Sequence, residues 1–271
     1  MNLLEIIRNG MNSFISYNQY KKNNVLNETY ESFVELKILA QDIIDWYSDK
    51  IEKDAAYSYI PIEEIYDLQK FIKRDYKVLK EFVNSSIGFI CHYLHDSQLD
   101  TGSYIQSTEY NLLKELLPAD NVKEISKKIE EYKIGLILID SISMKVGTVI
   151  HELQHAYDDF RAKGKLVSTK MGSRFLKKEK LIKNKVRKPD ISKAYYRTPH
   201  ELSAFFVKTL NYINFFYDET EMNLKDFHTL YDEFKENFQG YDYLTSKDKK
   251  ILARKFSQYY YKLKERNITD E

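Results

Sequence analysis

The sequence predicts a helix-rich α+β chain, and three observations carry that expectation. Segments 29–53, 61–83, 199–216, 223–238 and 246–265 space their apolar residues at the three- and four-residue intervals of a helix. Two shorter segments, 86–94 (SIGFICHYL) and 134–140 (IGLILID), are rich in β-branched and aromatic residues and read as strands. Hydrophobic residues make up 43% of the 271 positions, enough for a sizeable core in one large domain or in a core with helical additions.

The elements follow in order. Residues 2–16 fit a short amphipathic helix with Leu3, Leu4, Ile7, Met11, Phe14 and Ile15 on one face. Residues 18–27 are polar and read as a loop. The 29–53 helix carries Phe33, Leu36, Leu39, Ile43, Trp46 and Tyr47. The next begins near Pro61, a residue suited to a first helical position, and runs to about Val83. After the 86–94 strand, Asp100-Thr101-Gly102 is a turn signal, and 104–106 is expected to pair back onto that strand. Short helices are expected at 109–116 and 122–132; Asn121 with Glu124 makes a capping-box pattern for the second. The 134–140 strand leads into a helix through residue 160, with Gly164 as its stop. The expected organisation is an N-terminal helical region 1–84, a core 85–216 with an insertion at 161–190, and a C-terminal helical region 217–271, packed as one compact unit.

Composition excludes several classes. The single cysteine, Cys91, excludes an internal disulfide and a four-cysteine zinc ribbon. The N-terminus lacks a basic n-region, and Glu5, Arg8 and Asn9 interrupt its apolar stretch, so no secretory signal is expected. No uncharged apolar run approaches the length of a membrane span. The expectation is a soluble protein, cytoplasmic or delivered without a Sec signal. The net charge of +1 is unevenly spread: residues 161–190 hold 12 Lys or Arg against Glu179 and Asp190, a net +10 that leaves −9 for the remainder. That segment is read as a solvated insertion, with a lid, a grip on an acidic substrate or a nucleic-acid contact as the alternatives.

Chemistry concentrates at residues 151–155, His-Glu-Leu-Gln-His. Residues four apart share a helix face, so His151 and His155 project side by side, as two imidazoles must to hold one zinc ion. Glu152, beside them, can take a proton from a metal-bound water and pass it to a leaving amine. Random ordering of this composition yields the pattern about 1% of the time, so it is informative but not decisive. Two surface histidines on an amphipathic helix are the bland alternative. A catalytic zinc usually has three protein ligands. The best third candidate is Glu201, in Tyr195-Tyr196-Arg197-Thr198-Pro199-His200-Glu201; His200 is the next choice. The same residues also spell a helix start, with Thr198 as N-cap, Pro199 at the first position and Glu201 as the capping-box glutamate, so ligand and cap both stay open.

Residues 151–160 resemble the active-site helix of zincin metallopeptidases, and with Glu201 downstream the chain is similar to their gluzincin branch. The resemblance implies a zinc peptidase with one Zn²⁺ held by His151, His155 and Glu201, Glu152 as general base, a protein or peptide substrate, and a small twisted sheet over the active-site helix. The tyrosine pair before Pro199 is similar to predicted metallopeptidases of bacteriophage genomes and some bacterial toxins. There are departures: Phe205 stands where an Asp often follows the third ligand by four residues, the metzincin His extension is absent, and Cys91 lies in Phe-Ile-Cys-His rather than in a deformylase context. Supporting roles stay two-sided. Tyr196 or Tyr195 either donates to a developing oxyanion or packs. Asp158 and Asp159 either accept from a ligand imidazole or are solvated and pair with Arg161. Cys91, His92 and His95 are a weaker candidate for a second metal site. The competing functions are an inactive binding or structural protein, such as a toxin or virion component, and a nucleic-acid-associated protein using 161–190.

Overall fold

A computed structural model describes residues 27–50, 76–84, 88–92, 102–105, 136–140, 145–161, 196, 197 and 199–269. The helices expected at 2–16, 109–116 and 122–132, the first part of that expected at 61–83, residues 18–26 of the expected 18–27 loop, the basic segment beyond Arg161 and residues His95, Gly164, Tyr195 and Thr198 lie outside the described residues. The chain divides into two units, residues 35–169 and residues 1–34 with 170–271.

Helix α1, Asn27–Lys50, contributes to both ranges. Its buried residues, Tyr30, Phe33, Leu36, Leu39, Ala40, Ile43 and Trp46, recur at the intervals its sequence predicts. In the 35–169 unit, Glu35 accepts from the backbone N–H groups of Lys77, Val78 and Leu79 at 2.8–3.2 Å. A carboxylate at the start of a helix satisfies donors that have no partner within it. The short helix α2, Lys80–Asn84, begins there. The 61–83 expectation is therefore corrected at its end: residues 76–79 are not helical, and a helix begins at Lys80.

Three strands follow: β1 (Gly88–His92), β2 (Gly102–Ile105) and β3 (Leu136–Asp140). Their order is β1-β3-β2, with β3 parallel to β1 and antiparallel to β2. The expected return of 104–106 onto the first strand is thus corrected, because β3 lies between them. Ile137 and Ile139, two apart on β3, are fully buried. Helix α3, Val146–Arg161, lies against β2 and β3. Tyr104, opposite Ile137, donates through its hydroxyl to Asp159 of α3 at 2.8 Å, so this face of the sheet meets the helix.

In the other unit, α4 (Pro199–Phe216), α5 (Glu219–Leu224), α6 (Phe227–Asn237) and α7 (Ser246–Thr269) pack around aromatic side chains. Phe206, Phe234 and Phe256 form a chain of rings 5.1–5.5 Å apart, and Tyr231 stands 5.3 Å from Phe256. Tyr259 packs on Tyr30 and Phe33 and accepts from the Asn214 amide at 2.7 Å. The expected helix 223–238 is corrected to two: Lys225 and Asp226 are extended, and α6 starts afresh after them. Asp218 caps α5 by accepting from Glu221 N–H, and Thr245 and Asp248 exchange bonds at the start of α7 as a capping box.

The α+β class with a zincin-like sheet is corrected. Helices dominate the described residues, the strands are only four or five residues long, and the chain is helix-rich. The helical periodicity of the sequence was the dominant signal, and the strand segments were too short to set the class. No helix among the described residues is long and apolar enough to cross a membrane.

Candidate metal centre

Helix α3 forms because Val149, Ile150, Leu153, Ala156 and Tyr157 make a continuous apolar face, all of it buried. Phe82 clamps its last turns, 5.3 Å from the Tyr157 ring and 5.6 Å from Phe160. Arg161 closes the helix with its guanidinium 5.7 Å from the Tyr157 ring, a charge suited to the C-terminal end of the helix dipole.

What separates α3 from an ordinary amphipathic helix is the polar residues it buries. His151 and His155 are each 7% exposed and Glu152 is 4% exposed. Ionisable groups are rarely buried unless they are paired or hold a metal. The two imidazoles stand edge to face with centroids 4.8 Å apart, and their Nε2 atoms face each other at 3.2 Å. At that distance one imidazole can donate to the other, and the separation is close to the roughly 3.4 Å expected between two nitrogens bound to one tetrahedral zinc. The bland reading of two surface histidines fails, because both are buried.

Glu201 lies in the first turn of α4 and is 5% exposed. His151, His155 and Glu201 each offer a ligand atom, and these atoms all lie within 4.8 Å of one another. Two imidazole nitrogens and a carboxylate oxygen could hold a metal ion. A buried divalent cation would also offset the cost of enclosing that carboxylate. The backbone of His200 is helical, and its alternative as third ligand concerns a side chain outside the description, as does the Thr198 capping box.

The remaining sequence candidates are placed differently. The Tyr196 ring stacks on Tyr243 at 5.6 Å and packs on Phe205 at 5.3 Å, while its hydroxyl accepts from the Gln239 amide at 3.0 Å. Those are the contacts of a packing residue. Gly240, at φ 83°, brings its backbone against the same ring, where a Cβ would come within 2.3 Å of it. Asp158 accepts from Gln154 at 2.9 Å. Asp159 is 7% exposed, so the expected solvated role does not describe it. Its bond from Tyr104, 55 residues away in the chain, was missed, and no local signal in the sequence points to it. Cys91 and His92 occupy β1 opposite Ile139 and Asp140.

An open groove of about 920 Å³ runs along residues 232–243, with Asp232, Glu236 and Asp242 among its lining. It includes none of His151, Glu152, His155 or Glu201. Donor chemistry marks the candidate site. No family model matches the chain, and no curated protein or solved structure matches it.

Proposed function

We propose that this chain is a zinc-dependent metallopeptidase with His151, His155 and Glu201 as metal ligands and Glu152 as general base. The observation that carries the reading is the meeting of those three buried donors, with Glu152 next to the first of them on the same helix. The donor set itself favours zinc: two imidazoles and one carboxylate would hold it with three protein ligands, as in catalytic rather than structural zinc sites. When bound, zinc lowers the pKa of a water and polarises a carbonyl oxygen. His151 and His155, on adjacent turns of α3, would hold the ion through Nε2. Glu152 takes the proton of the attacking water and returns it to the departing amine. Burial of Glu152 keeps bulk water from competing for that proton.

The test is zinc stoichiometry by elemental analysis of the wild type, His155→Ala and Glu201→Ala. One zinc per chain is expected in the wild type, lost in His155→Ala and weakened in Glu201→Ala. Zinc retained in Glu201→Ala would leave Glu201 as a helix cap alone. A folded wild type that takes up no zinc overturns the reading. Glu152→Gln should keep the metal and lose about 10²–10⁴-fold in hydrolysis of dye-labelled unfolded casein, the contribution of a positioned general base.

A further inference from the structure

Asp159 is a buried carboxylate that the reaction above does not use. Its Oδ2 accepts from the Tyr104 hydroxyl at 2.8 Å. Its Oδ1 is buried and has no hydrogen-bond partner among the described residues. A buried acceptor left unsatisfied costs about 1–3 kcal/mol, so its retention calls for a reason.

Position supplies one. Asp159 follows His155 by four residues on α3, on the same face. Helical side chains lean toward the N-terminus, so the Asp159 carboxyl lies over the turn that carries His155. His155 directs Nε2 at His151, which leaves Nδ1 as its other polar atom. A metal-ligating imidazole depends on an acceptor at that second nitrogen, which fixes the tautomer and the ring angle. Tyr104 reaches in from β2 and holds the carboxylate by its other oxygen.

We propose that Asp159 is the positioning residue of His155: its Oδ1 accepts Nδ1–H through one bridging water, the two buried atoms making no direct bond, and Tyr104 holds the carboxylate in that orientation. This rests on the metal reading above. The competing role is a plain tie between β2 and α3. Asp159→Asn separates the two, because an asparagine oxygen can still accept from Tyr104 while its amide offers the imidazole a donor in place of an acceptor.

The experiment titrates zinc alone into full-length wild type, Asp159→Asn and Tyr104→Phe against a chromophoric chelator. In parallel, the His155 ring protons of ¹⁵N-histidine-labelled, zinc-loaded protein are followed by NMR. Asp159→Asn should weaken zinc binding 10–100-fold with an unchanged metal-free melting temperature, and should shift or lose the His155 Nδ1–H signal. Tyr104→Phe should weaken binding less, with the same signal moved in the same direction. Wild-type affinity together with an unchanged Nδ1–H signal in Asp159→Asn overturns the inference and leaves the tie. Should Asp159→Asn not fold, the wild-type spectrum and Tyr104→Phe decide: ligation of zinc through Nδ1 of His155, or a Tyr104→Phe variant identical to wild type, overturns it. A wild type that binds no zinc overturns the metal reading along with it.

Discussion

Helices α3 and α7 are both amphipathic and both end in a buried face, yet they bury different chemistry. On α7, Phe256, Tyr259, Tyr260 and Leu263 fill the interior. Its fully buried serine, Ser257, is satisfied by its own helix, through a 2.7 Å bond to the Ala253 carbonyl. On α3 the interior holds His151, Glu152, Gln154, His155 and Asp159. Other buried polar atoms of α7 are paired across elements: Tyr259 accepts from Asn214, and Tyr260 donates to the Lys225 carbonyl at 2.8 Å. Four of those on α3, His151, Glu152, His155 and Asp159, are ionisable, and burying ionisable groups is costly. The contrast separates a helix whose buried face is mostly aromatic and apolar from one that buries a candidate metal centre.

The largest expected effect breaks that contrast from the α7 side. Phe256→Ala removes the ring that Phe227, Tyr231 and Phe234 pack against, and should lower the unfolding free energy by about 3–5 kcal/mol. Glu152→Gln in metal-free protein should leave it unchanged or raise it, because a neutral amide is less costly to bury than a carboxylate. Urea unfolding of both variants checks this. Equal destabilisation by the two would mean that α3 is core like any other.

A smaller effect is expected at Gly240. Alanine there meets both the left-handed backbone and the Tyr196 ring, so a loss of about 1–3 kcal/mol is expected from thermal melts. Wild-type stability in Gly240→Ala would mean that Tyr196 is not held in place by that turn.

The mildest concerns pH. Burial raises the ionisation of the Tyr231 and Tyr259 phenols above the usual range; at Tyr231 a shared hydrogen bond with Tyr241 adds to it, and at Tyr259 the bond from Asn214 opposes it. Folding thus favours the neutral phenol. The contribution is fully present below the unfolded tyrosine pKa of about 10 and is lost as pH rises above it toward the higher folded values. Melting temperature should fall above that pH while tyrosinate absorbance lags in the folded protein. Complete ionisation of all tyrosines near pH 10 without unfolding would contradict it.

The sequence was most legible where structure is local. Helix α4 runs over 199–216 as its periodicity predicts, and α1 and α7 differ from expectation by a few residues at their ends. Misreadings fall where distant residues intervene. Glu35 collects the N–H groups of 77–79 from forty-odd residues away. The break at Lys225–Asp226 carried a local signal, an aspartate at a helix start, which the apolar spacing outweighed. The order β1-β3-β2 left no trace in spacing at all, because a strand's own pattern says nothing about its neighbours.

The same division holds at the candidate site. His151, Glu152 and His155 were determined by sequence alone, since the turn of a helix sets the face that residues four apart share. The burial of both imidazoles, the closeness of Glu201 and the bond from Tyr104 to Asp159 were decided only by tertiary structure. Those contacts join residues more than forty positions apart. No local periodicity encodes such contacts.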